Sequence, residues 1–215
     1  MPQDQGQPAV PAVERGEEPR RNADERELLV SWLEWHRATM AKKCEGLAAD
    51  QLGQRSCPPS ELTLLGLVRH LTEIERNYFA TWAGIVDLPH YYSDEDPDGD
   101  FHLPDPVTDD AVGEAFRTWE DECDRSRRIV AEAGSLDLPN AGGVPLRWVV
   151  VYMLREYARP GACRGSATCP SWETAGEVAS WFSTARWPLK AARPAGVADS
   201  QVRGRRPTWP LVTFT

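Results

Sequence analysis

Apolar residues recur three and four positions apart in four stretches of the chain, and the pattern breaks between them at Pro, Gly and acidic clusters. The first stretch holds Leu28, Leu29, Trp32, Leu33, Trp35, His36 and Met40, with Glu25, Arg26, Glu34 and Arg37 on other faces. It predicts an amphipathic helix from Asp24 to about Gly46. Cys57-Pro58-Pro59 cannot continue a helix, and Ser60 is placed to cap a second one carrying Leu64, Leu67, Leu71, Ile74, Tyr78 and Trp82. A loop with Pro89, Pro97, Gly99, Pro104 and Pro106 follows. Thr108-Asp109-Asp110 then starts a third helix through Val112, Phe116, Trp119, Cys123 and Val130. Pro145 sits at the first turn of a fourth, Leu146 to Arg159. Four helices with no alternating strand predict an all-α fold, an up-down four-helix bundle.

The ends of the chain lack this period. Residues 1–23 are rich in Pro, Gln, Gly, Glu and Arg and read as a disordered tail. The bundle spans 24–159, with its fourth helix cut short at Pro160-Gly161. Residues 160–215 carry Trp172, Trp181, Trp187 and Trp209 without a matching aliphatic set and read as a tail of low order.

Charge sharpens that division. The 215 residues have a net charge of −9, but up to Arg159 there are 30 acids against 17 bases, and from Pro160 onward 3 against 7. The bases of the first part are interleaved with acids and form no stripe, which argues against nucleic acid as a partner. No apolar run reaches the ~20 residues of a membrane span, and the first residues hold no apolar signal segment, so the expected location is the cytoplasm. The cysteines, Cys44, Cys57, Cys123, Cys163 and Cys169, are odd in number and form no CxxC pair, which fits reduced thiols.

Two residues stand out for chemistry. His70 lies three residues after Leu67 and four before Ile74, on the apolar stripe of the second helix. Glu156, four residues after Tyr152 and seven after Val149, lies inward on the fourth. A buried imidazole and a buried carboxylate need each other or a cation, so either a His–Glu pair or a metal would satisfy both. The acidic run Asp94-x-Asp96-x-Asp98-Gly99-x-Phe101 starts like a calcium loop, but Asp105 stands at its twelfth position and Pro106 blocks an exiting helix. It reads as a solvated loop at the mouth of the bundle. His36 reads as a core or boundary residue, His90 and His102 as exposed, and neither Cys44 nor Cys123 has a local His to make it a nucleophile.

Leu64-Leu65-Gly66-Leu67-Val68-Arg69-His70-Leu71, with Glu73 and Arg76, resembles the second helix of the DinB-like superfamily. That superfamily includes the mycothiol-dependent maleylpyruvate isomerases and a group named for a mini-circle protein. The resemblance extends to Lys43-Cys44-Glu45-Gly46-Leu47, to Asp94 through Phe101, to Leu146-Arg147-Trp148-Val149 and to Glu156-Tyr157-Ala158-Arg159, covering roughly residues 24–159. It implies a bundle holding a divalent metal, zinc or nickel, with His70 and Glu156 as ligands and a histidine four residues after the glutamate as the third. Here that position is Pro160, which has no donor atom. The lost ligand and the change in composition fall at the same residue, as a shift of reading frame near codon 160 would produce. The codons for residues 160–166, read from their second nucleotide, permit Gly-His-Ala-x-Asp.

The resemblance implies an enzyme that uses mycothiol, or another small thiol, to transfer to or isomerise a small electrophile. The alternatives are a non-catalytic relic whose site lacks its third ligand, and a metal-free bundle that binds a small molecule or protein. Apolar faces left uncovered by a short fourth helix leave room for a homodimer.

Overall fold

A computed structural model describes residues 10, 12–55 and 62–161, the side chains of 159–161 excepted. The expected low-order tail and the continuation after codon 161 lie outside these residues, as do Ser60, Cys57, Cys163 and Cys169. Helix α1, Glu25–Cys44, starts where Asp24 accepts a hydrogen bond from the Glu27 amide at 2.8 Å, with Glu25 and Glu27 in its first turn. Residues 12–23 carry no helix or strand, and the Arg15 guanidinium of that segment lies 4.5 Å from the Trp35 ring. The chain leaves α1 through Gly46, whose φ of 71° suits a residue without a β-carbon.

After the single turn of α2, Ala49–Leu52, comes α3, Leu64–Glu75. Its cap is Thr63, three residues later than the expected Ser60, because the Thr63 hydroxyl accepts from the Gly66 amide at 2.9 Å. The helix continues as a π-helical turn, Arg76–Ala80, an irregularity that often marks functional segments. Helix α4, Asp109–Glu132, is capped by Thr108 as expected. Helix α5, Leu146–Gly161, runs two residues beyond the predicted end, through Pro160 and Gly161.

Among the described residues the fold is an all-α bundle with no strand. Its helices do not simply alternate in direction. Arg147 at the start of α5 bonds Glu25 at the start of α1, so these two run parallel. Trp82, just past the π turn, donates to the Val144 carbonyl before α5, and Glu75 meets Tyr157 further along it, so α3 opposes α5. Arg26 of α1 bonds the last carbonyls of α4, at Val130 and Ala133, so α4 opposes α1. Helices α3 and α4 therefore run the same way, and the segment 85–107 between them must travel back along the bundle. A strict up-down order fails because that long connection returns the chain to the end from which α3 began. Leu33, Leu71, Phe79, Val112, Leu146 and Met153 lie in the core. No helix among the described residues is long and apolar enough to cross a membrane.

Candidate functional site

The returning segment is fixed to α3 residue by residue. Arg69 donates to the carbonyls of His102 and Gly99 at 2.7 and 2.8 Å, and its guanidinium lies 4.3 Å from the Tyr91 ring. Glu73, buried, accepts from the Tyr91 amide at 2.6 Å and lies 2.6 Å from His90 Nδ1. Arg76 reaches the Pro89 carbonyl, and Asn77 accepts from the Tyr92 hydroxyl at 3.3 Å. Gly99 is needed here, since a β-carbon at this position would stand 2.3 Å from the Tyr91 carbonyl oxygen.

Within this frame His70 Nδ1 lies 2.8 Å from Asp100 Oδ2, and the imidazole stacks on Phe101 with ring centres 5.1 Å apart. The His70 side chain is 15% exposed and that of Asp100 6%. An ionised carboxylate only accepts, so it is Nδ1–H that faces Asp100. The expected solvated loop is corrected at this point. Asp94, Glu95 and Asp98 face water, whereas Gly99 and Asp100 are buried because Arg69 and His70 hold them against α3. His90 and His102 do lie at the surface, each beside a carboxylate, Glu73 and Asp96.

Glu156 is buried on α5, near a pair of phenols. The Tyr78 ring packs on Tyr152 with centres 4.4 Å apart, and Tyr152 lies one turn before Glu156 on the same helix. Burial comes first in raising the pKa of both phenols above the ordinary value; Tyr152 adds to the rise at Tyr78 and Glu156 to that at Tyr152, while Tyr78 works against the rise at Tyr152. The pairings of Glu75 with Tyr157 and of Tyr78 with Tyr152 set the register of α3 against α5. Carried back along α3, that register sets His70 level with the last turn of α5, one turn beyond Glu156. The two residues singled out from sequence thus lie on facing helices toward one end of the bundle.

The mycothiol-S-transferase profile matches residues 28–160, more than half of the chain. The chain belongs to the mycothiol-S-transferase family. No curated protein and no solved structure matches it. Membership of the mycothiol-S-transferase family agrees with the DinB-like resemblance and connects the bundle with mycothiol-related transfer.

It does not by itself supply a metal. A histidine whose Nδ1 is backed by a carboxylate is held as metal-binding histidines are, and His70 meets that condition. A catalytic site takes about three protein ligands, yet among the described residues no group of three or more His, Cys, Asp and Glu could hold an ion. Pro160, at the position of the third ligand, has no donor. The described donor set does not fit a metal.

Sequence reasoning missed the centre of the bundle. Glu75, its side chain fully buried, accepts from Arg37 Nε and Nη2 at 2.8 and 2.7 Å, from the Ser126 hydroxyl at 2.5 Å and from the Tyr157 hydroxyl at 2.9 Å. Trp119 Nε1 in turn donates to the Tyr157 oxygen at 2.8 Å. One carboxylate therefore joins α1, α3, α4 and α5. Cys123 lies beside it, and burial followed by the nearby Glu75 charge pushes its thiol well up, so it is no nucleophile. Cys44 is buried as well.

Proposed function

We propose that this chain transfers the sulfur of mycothiol to a small electrophile, with His70 taking the thiol proton. The observation that supports it is the part-buried 2.8 Å contact between His70 Nδ1 and Asp100. Asp100 accepts a hydrogen bond from Nδ1–H, fixes the tautomer and stabilises the imidazolium that forms when Nε2 accepts a proton from sulfur. An unperturbed thiol has a pKa of about 8.5 and is mostly protonated at pH 7, so a base beside it is needed to form the thiolate. The thiolate forms a bond to the electrophilic carbon, the leaving group departs with its electron pair, and the imidazolium returns the proton. No step passes through a metal.

The missing third donor favours a second reading, a bundle that binds mycothiol or another small molecule without turnover. One experiment separates them. The full chain, mycothiol and 1-chloro-2,4-dinitrobenzene are mixed and the coloured conjugate is followed, with and without EDTA. Turnover above the uncatalysed rate, unchanged by EDTA and reduced roughly 10²–10⁴-fold by His70→Ala, is the expected result. A rate equal to the uncatalysed one, with saturable binding of mycothiol by calorimetry, would support the binding reading. A rate abolished by EDTA would restore metal dependence.

A further inference from the structure

Helices α1 and α4 lie side by side in opposite directions, but the seam between them is open. Ser31 and Ala131, both small, line it, and a groove of about 350 Å³ runs between the helices. Val30, Leu33 and Val130 form its apolar walls, and Val150 of α5 its buried floor. Bonds span the seam at two levels. Arg26 donates to the Val130 and Ala133 carbonyls, and Arg127 Nη2 donates to Glu34 at 2.7 Å.

The groove adjoins the first half of α1 and the start of α5, whereas His70 is level with the last turn of α5. It is therefore a place apart from the proposed transfer site. Its volume falls in the range of small-molecule sites. Its charged groups are already engaged, most in ion pairs, Arg26 and Asp24 in bonds to backbone groups. Arg37 is held by Glu75 and Glu34, Arg127 by Glu34 and Asp124, Arg26 by carbonyls, and Glu27 by Arg20. A charged guest would have to break one of these pairs or enter unpaired, which costs free energy. An uncharged, mostly apolar guest meets the valine and leucine walls without disturbing them.

We infer that the α1–α4 groove is a second ligand site, one that takes a small uncharged apolar molecule. Binding of 1-naphthol to the full chain, compared with 1-naphthalenesulfonate and 1-naphthylmethylammonium, tests it by calorimetry. Saturable one-to-one binding of 1-naphthol is expected, with both charged analogues at least tenfold weaker. Ser31→Phe and Ala131→Phe each fill the groove from a different helix and should weaken binding tenfold or more, and His70→Ala should leave it unchanged. Thermal melts identify a variant that fails to fold, and the other then carries the test. No binding, equal affinity for the three probes, indifference to both filling substitutions, or sensitivity to His70→Ala would overturn the inference. None of these readouts depends on transferase activity.

Discussion

Replacing Arg37 by Met removes the guanidinium that faces Glu75 and leaves a fully buried carboxylate with only the Ser126 and Tyr157 hydroxyls and the weak Cys123 donor. Breaking a buried pair from one side costs about 3–5 kcal/mol. Against a typical domain stability of about 5–15 kcal/mol that is a large fraction. With a urea slope of about 2 kcal/mol/M, the unfolding midpoint should fall by roughly 2 M. Adding Glu75→Gln removes the second charge and keeps an acceptor for the Tyr157 hydroxyl, while the amide NH2 can donate to the Ser126 oxygen, whose own proton goes to the Glu122 carbonyl. The double variant should therefore recover to within about 1–2 kcal/mol of the parent, since exchanging a buried ion pair for uncharged groups is often nearly neutral. Urea titrations followed by circular dichroism at pH 7 read all four members of the cycle. Losses that simply add, with the double variant at the sum of the singles, would show that the two charges do not act as a pair.

Gly99→Ala places a β-carbon 2.3 Å from the Tyr91 carbonyl oxygen and 3.0 Å from Asp96 Oδ2, so the backbone around Asp100 must shift, at a cost of about 1–3 kcal/mol. Hydrogen exchange should lose protection first at the Phe101 amide, which now bonds Asp98, and unchanged protection there would contradict the close fit. His36 is held below the ordinary imidazole pKa, by burial first and by the Lys43 charge second. The unfolded chain then binds the proton more readily, so stability is lost as pH falls through about 6.5 and is regained above it. His36→Phe should flatten that part of the curve of urea midpoint against pH between 8 and 5, and parallel curves for variant and parent would refute the assignment.

Local signals and long-range ones were unequally readable in the sequence. Asp24 and Thr108 are helix caps written in single residues, and both begin helices where expected. The cap of α3 fell at Thr63, because more than one hydroxyl precedes the same apolar stripe. His70 and Glu156 were visible as polar residues on apolar faces. Asp100 was hidden in a run of acids that looked uniformly solvated, and its burial depends on His70, thirty residues away in sequence. The Glu75 network was less readable still, because Arg37, Ser126 and Tyr157 lie 38, 51 and 82 residues from it. One trace was available: Glu75 stands four residues from both Leu71 and Phe79, a charge set into the buried stripe. The reversal of direction across 85–107 left no trace in periodicity, since helical spacing is the same whichever way a helix runs.

That central carboxylate also orders the protein in time. Glu75 leaves the ribosome well before Tyr157, and 82 residues at about 5–20 residues per second is a delay of roughly 4–16 s. For that interval Arg37 and Glu75 have no closing helix, and water must supply the hydrogen bonds that α5 later replaces. Docking of α5 is thus the step that brings the Tyr157 hydroxyl to Glu75 and closes the centre of the bundle.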